Sequence, residues 1–162
     1  FEDPGKGGFY FTSNDHEALI QRPKPYTDEA IPAGNGVAAY ALQRLGYLVG
    51  NTQYLDAAER CLKDASPTIE QHSYACMSML VALEEHKYPV KTVIVRSNTP
   101  ELASCRDKLS KIYRPRQQVF VIEKELTDLP AAIASKPATE SPVAYVCDGM
   151  TCSAPQYNLD EI

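Results

Sequence analysis

Residues 36–50 read GVAAYALQRLGYLVG. Val37, Ala41, Leu45 and Leu48 recur at helical spacing, and Ala38, Leu42 and Val49 widen the stripe. Gln43 and Arg44 are its only strongly polar residues. A helix with so little polar surface is buried by neighbours on several sides. The stretch therefore predicts a helix over 36–49, stopped by Gly50, and a fold arranged to surround it.

Working outward, Asn51 or Thr52 can cap a second helix with Tyr54, Leu55, Ala58 and Leu62 on one face. Ser66-Pro67 reads as a break and a restart, giving a third helix over 67–86. Tyr74, Met77, Leu80 and Val81 form its apolar face. Upstream, GGFYFTS (7–13) suits a short strand after a turn. Pro23, Pro25 and Pro32 make 21–32 an extended loop.

The pattern changes after Tyr88-Pro89. VKTVIVRS (90–97), QQVFVIE (117–123) and PVAYVCDG (142–149) read as strands, the first two buried on both faces. Between the first two lies a helix, ELASCRDKLSKIY (101–113), with Leu102, Cys105, Leu109 and Ile112 inward. Between the last two lies LTDLPAAIAS (126–135), a short helix interrupted by Pro130. Short links in this order imply parallel pairing through crossovers. The expected fold class is mixed α and β: antiparallel helical hairpins in 1–88, then a small three-stranded parallel β-α-β-α-β unit in 89–162.

The chain has 162 residues, 44% of them hydrophobic, enough for a real core. Its net charge of -5, with no basic patch, argues against nucleic acid or an anionic membrane as partner. No apolar run approaches the roughly 18 residues of a membrane helix, and no signal-peptide pattern opens the chain. Five scattered cysteines are not a secreted disulfide framework. The expected location is cytoplasmic. The opening at Phe1 reads as a piece of a longer protein, and an uncovered helix face would predict self-association.

Two clusters carry chemistry. In YTDEAIPAGNG (26–36), the Gly34-Asn35-Gly36 loop opens a helix N-terminus that could hold an anion. Asp28 and Glu29 would repel one, so a neutral, polyhydroxylated ligand suits the loop better. Adjacent acids rarely flank one bond as glycosidic chemistry requires; Asp28, Glu29 and Asn35, with Arg22, are candidate ligand-binding residues. The alternative is an entry loop whose Asn35 caps the helix. The second cluster is Cys147-x4-Cys152, at the end of the last strand and across a glycine turn. It reads as reduced structural thiols, as a disulfide or redox pair, or as half of a metal site. Zinc would need two more ligands, and no second pair has the spacing. No cofactor is expected. His16, His72 and His86 are dispersed, as for surface residues.

The stretch FYFTSNDHEALIQRPKPYTDEAIPAGNG with the helices after it resembles the C-terminal region of the thioredoxin-domain-containing, spermatogenesis-associated (YyaL-like) proteins. Asp28, Ala30, Pro32, Gly34 and Asn35 match that family's stretch before an Ala/Leu-rich helix, and Arg22 and Lys24 match the residues preceding it. Glu29 replaces its glycine and Ala33 its serine. The tail VAYVCDGMTCSAP (143–155) resembles its closing strand and cysteine pair. The resemblance implies a parent with an N-terminal thioredoxin-like domain, then an α/α toroid like those of six-hairpin glycosidases and N-acylglucosamine epimerases. This chain would be the end of the toroid plus the terminal α/β unit, with the remainder of the parent as its partner and the 26–36 loop at the cavity rim. It implies a carbohydrate-related role, glycosidase- or epimerase-like if the parent is an enzyme, with the isolated piece inactive. The alternative is a thiol–disulfide or protein-quality factor in which this segment is structural or docking.

Overall fold

The computed structural model describes residues 1–123, 126 and 128–159. They form two compact units: Phe1–Gly46 with Asn51–Tyr88, and Tyr47–Gly50 with the chain from Pro89 on. Mixed α and β structure is present, with five α-helices and a four-stranded sheet among the described residues.

The first unit is built on α1 (Gly34–Val49, whose last three residues belong to the second unit), α2 (Thr52–Gln71) and α3 (Met77–Lys87). Asn51 caps α2 by accepting from the Gln53 N–H. Its buried face, Ala57, Ala58, Cys61, Leu62 and Ala65, is small and apolar. A Cβ on Gly36 would lie 2.7 Å from the Ser78 carbonyl carbon, so the starts of α1 and α3 touch backbone to side of backbone. Their later turns meet through Arg44 and Glu85. Leu55, early in α2, packs on Gly46, late in α1. Hence α1 and α3 run the same way and α2 runs against both.

Three expectations fail here. The predicted break at Pro67 is absent: α2 continues to Gln71, and a 3-10 turn at Ser73–Ala75 separates it from α3. Ile69 packs against the helical core, so burial beyond Pro67 holds the helix through the missing N–H. GGFYFTS is not a strand but an isolated bridge between Glu2 and Phe9, because Gly7 and Gly8 take φ of 94° and 74°. The orientation of α1 is also unexpected. It buries Asn35, Gly36, Ala39, Gln43 and Gly46, and leaves Val37 52% and Leu45 42% exposed. Close approach wins over greasiness: the glycines admit neighbouring helices, and Gln43 donates to the carbonyls of Ala39 and Ala82 at 3.0 Å each. Helix α3 does the same, burying Met79, Ala82 and Glu85 while Met77 and Val81 lie exposed, as does Tyr74 in the 3-10 turn before it.

The second unit holds β1 (Lys91–Ser97), α4 (Glu101–Ser110), β2 (Gln117–Glu123), α5 (Ala131–Ala134), β3 (Val143–Asp148) and β4 (Thr151–Cys152). The sheet order is β2-β1-β3-β4. Val93 and Val95 of β1 pack with Leu102 and Leu109 of α4, while Ile94 packs on the opposite face with Ile133 of α5. So β1 is the central strand, buried on both faces as expected. Strand β2 is at an edge and only half-buried. Ile112, expected inward, follows the end of α4 and is exposed.

The expected three-stranded parallel unit is corrected. Strand β2 pairs parallel to β1, Val93 opposite Val119, but β3 pairs antiparallel to β1, Val93 opposite Val146. Helix α5 is one turn, roughly 6 Å long, so it does not span a strand of roughly 23 Å as a crossover helix would. Ile133 of α5 packs on Ile94 of β1, and β3 starts at the end of the sheet where β2 stops. Thr127, in this predicted helical segment, lies outside the described residues. Among the described residues no helix is long and apolar enough to cross a membrane.

Candidate functional site

In the first unit, residues 1–33 fold over the starts of α1 and α3 and the middle of α2, and are held by part-buried polar bonds. Asp3 accepts from the Gly5 and Lys6 N–H groups, from the Tyr10 hydroxyl at 2.8 Å and from Lys24 Nζ at 2.9 Å. Lys24 also donates to Asp64 at 2.8 Å and to the Gly7 carbonyl at 2.9 Å. Tyr26 donates its hydroxyl to Asp64. The Lys24 bond, with the turn N–H groups, holds the Asp3 carboxyl far below its ordinary range. Burial works against charge at Asp64, but the Lys24 and Tyr26 bonds prevail and its pKa is lowered. Burial and the Asp64 carboxylate push the Tyr26 phenol up, so it stays a donor.

Asn35, 2% exposed, accepts from the Phe9 N–H at 2.7 Å and donates to the carbonyls of Phe9 and Pro25. It works as a clamp on the entry segment, not as a cap of α1. Cys61 lies buried against the same oxygen, and burial pushes its thiol up to about 12, which favours the thiol over the thiolate at neutral pH. Asp28 accepts from the Ala33 N–H at 2.8 Å, from the Ser78 N–H at 2.8 Å and from the Ser78 hydroxyl. It thus ties the entry of α1 to the first turn of α3. Burial opposes its charge, but these bonds bring its pKa below the ordinary value. Arg22 donates to the Thr12 carbonyl at 2.7 Å and to Asn14 at 2.9 Å, and stacks 4.2 Å from the Tyr10 ring centre.

These bonds shape a cleft of about 530 Å³ beside the first turn of α1. Phe1, Phe9, Tyr10, Phe11, Pro25 and Ile31 supply its apolar lining. Glu29, Thr27 and Asn35 also line it. Of the four candidate residues, Glu29 and Asn35 border this cleft; Asp28 and Arg22 do not. Glu29 is exposed, and its carboxylate has no side-chain hydrogen bond among the described residues. Gly34 stands open beside it, with nothing within 4 Å of where a Cβ would be. An apolar concavity with a few polar groups is the usual form of a small-molecule site. Sequence reading missed the aromatic lining, because Phe9–Phe11 read as a strand. It also missed Lys24, whose partners lie 21 and 40 residues away.

In the second unit Cys147 and Cys152 are joined by a disulfide. Cys61 and Cys76 are buried free thiols, and Cys105 is half-buried. All three histidines are exposed. Among the described residues no cluster of three His, Cys, Asp or Glu could hold a metal ion.

No protein-family model matches the chain, and no solved structure matches it. It is 26% identical over 162 residues to the uncharacterized protein B0495.5 of Caenorhabditis elegans, covering 96% of this chain and 22% of that protein. It is 25% identical over 162 residues to spermatogenesis-associated protein 20 of Homo sapiens, covering 93% of this chain and 20% of that protein. The chain thus spans about a fifth of the length of these relatives, and over nearly all of its own length it is similar to a spermatogenesis-associated protein.

Proposed function

We propose that this chain is the C-terminal part of a longer protein of the thioredoxin-domain-containing, spermatogenesis-associated kind. In this reading α1–α3 are the last helices of an α/α toroid, and the cleft beside α1 opens on its cavity. The ligand is neutral and polyhydroxylated, of the carbohydrate class. The observation that carries the reading is the cleft itself: an aromatic concavity with one unpaired carboxylate, Glu29, at its edge. Such a carboxylate accepts hydroxyl donors, and ring faces cover the apolar face of a sugar. Two further facts support the toroid. Helices α1 and α3 expose Val37, Leu45, Met77 and Val81, which neighbouring hairpins would bury. The matched relatives are about five times as long as this chain. The carbohydrate class rests on fold analogy.

The test titrates neutral mono- and disaccharides against this chain and against the longer protein, reading backbone amide shifts. Shifts at Phe9, Phe11, Glu29 and Gly34 are expected, stronger in the longer protein. Glu29→Gln weakens the binding about tenfold, the loss of one charge-assisted hydrogen bond. No shift in either protein at millimolar sugar rejects the reading.

A further inference from the structure

We infer that the Cys147–Cys152 disulfide is a thiol-exchange site, at which Cys152 receives an incoming thiolate and Cys147 is the leaving sulfur. This stands independently of the cleft, which lies in the other unit. The first argument is the turn. Asp148 pairs with Thr151 and Cys147 with Cys152 across a two-residue link, Gly149-Met150. Gly149 takes φ of 57° and Met150 does not, the sign pattern of a type II′ hairpin. The four residues between the cysteines are what such a hairpin needs to place them opposite each other. The Ser153 N–H donates to the Val146 carbonyl, which makes the neighbouring pair the hydrogen-bonded one. The cysteines therefore hold the non-hydrogen-bonded position, where facing side chains come closest.

The second argument is what the bond does for the fold. It closes a loop that the turn has already closed, and the constraint a disulfide adds to the unfolded chain is least for the shortest loops. Strand β4 is two exposed residues. Pairing beyond it is held without sulfur, by Ser153 to Val146 and by Gln156 with Ala144 in both directions. Breaking the bond thus frees no buried element.

The third argument is asymmetry. Cys152 is exposed, whereas Cys147 is 6% exposed. Both border a cavity of about 50 Å³ that is also lined by Lys136 and Thr92. Lys136 Nζ donates to the Ala132 carbonyl at this cavity, and burial lowers its pKa, so an anion in the cavity would favour its charged form. A thiolate near a lysine is the stabilised form of a cysteine. Lys136 is thus a positioning residue for the leaving sulfur.

In the reaction, a thiolate of a dithiol attacks the sulfur of Cys152. The Cys147–Cys152 bond breaks, its electron pair stays on Cys147, and a mixed disulfide forms at Cys152. The dithiol's second thiolate then attacks its own sulfur in that mixed disulfide and expels the Cys152 thiolate, which water protonates. The pair gains two electrons and the dithiol becomes a disulfide.

The experiment exposes the full chain to reduced glutathione or to dithiothreitol, quenches with acid, alkylates, and locates the products by mass spectrometry. With glutathione, the adduct is expected on Cys152 and the alkyl group on Cys147, at least tenfold over the reverse. With dithiothreitol, both cysteines are reduced and the far-ultraviolet circular dichroism is unchanged. Lys136→Gln raises the pH at which Cys147 alkylation reaches half its maximum rate. An adduct mainly on Cys147, a pair that resists dithiothreitol in the folded chain, or unfolding on reduction would overturn the inference. The wild-type arms decide it even where the Lys136 variant folds poorly.

Discussion

At the residue scale, Asp28 answers what the acids in the 26–36 loop are for. Its two carboxylate oxygens serve the Ala33 N–H and the first turn of α3, so it ties loop and helix together and is not a free ligand group. Asp28→Ala is expected to lower stability by about 1–2 kcal/mol, the usual cost of a lost helix cap. Asp28→Asn should recover part of that, because one oxygen remains as an acceptor. Urea melts of the three proteins measure it; equal midpoints would remove the capping role. Its partner Ser78 is 50 residues away, and no local spacing signals that distance. Glu29 is the opposite case: the loop marks both acids alike, and only the cleft shows that Glu29 borders it while Asp28 does not.

At the element scale, the helical pattern of 36–49 was legible and its facing was not. Periodicity locates a stripe, but two stripes fit α1: an apolar one through Val37, Ala41 and Leu45, and a small or polar one through Gly36, Ala39, Gln43 and Gly46. The second is buried because only glycine and alanine let α2 and α3 approach closely. The double variant Val37→Asp/Leu45→Asp separates the consequences. In this chain alone it should cost about 1 kcal/mol or less, since both sites are exposed and only helix propensity is lost. In the longer protein it should cost about 3 kcal/mol or more, because two carboxylates would be buried without partners. Denaturation of both proteins reads the difference, and a small effect in both contradicts the toroid. The strands show the same limit. Their β-branched runs mark them, but the direction of β3 shows only in its antiparallel pairing with β1.

At the scale of the whole molecule, the acid response is set by the polar network of the first unit. Asp3, Asp28 and Asp64 all have pKa values below the ordinary 3.8 in the fold. Each binds fewer protons folded than unfolded, so the stability it contributes is present above 3.8 and is lost as pH falls below it through the folded values. Melting midpoints should be flat through neutral pH and fall steeply below about pH 4. Lys24→Met should cost about 2 kcal/mol at neutral pH, because Asp64 loses a charged donor. The gap from wild type should narrow on acidification, as the stranded carboxylates take up protons. A gap that stays constant to pH 3 would mean that Lys24 acts through packing.

The sequence by itself determined what depends on neighbours in the chain: helices where apolar residues recur every three or four positions, strands where β-branched residues run together, a glycine turn between two cysteines. Tertiary structure decided which stripe of α1 is buried, which way β3 runs, and which acids are bound and which is free. The reason is range. Propensity and periodicity act over a turn or a strand, whereas Asp28 with Ser78, Lys24 with Asp64 and Asn35 with Phe9 join residues 26 to 50 positions apart. Those pairings exist only once the helices have packed.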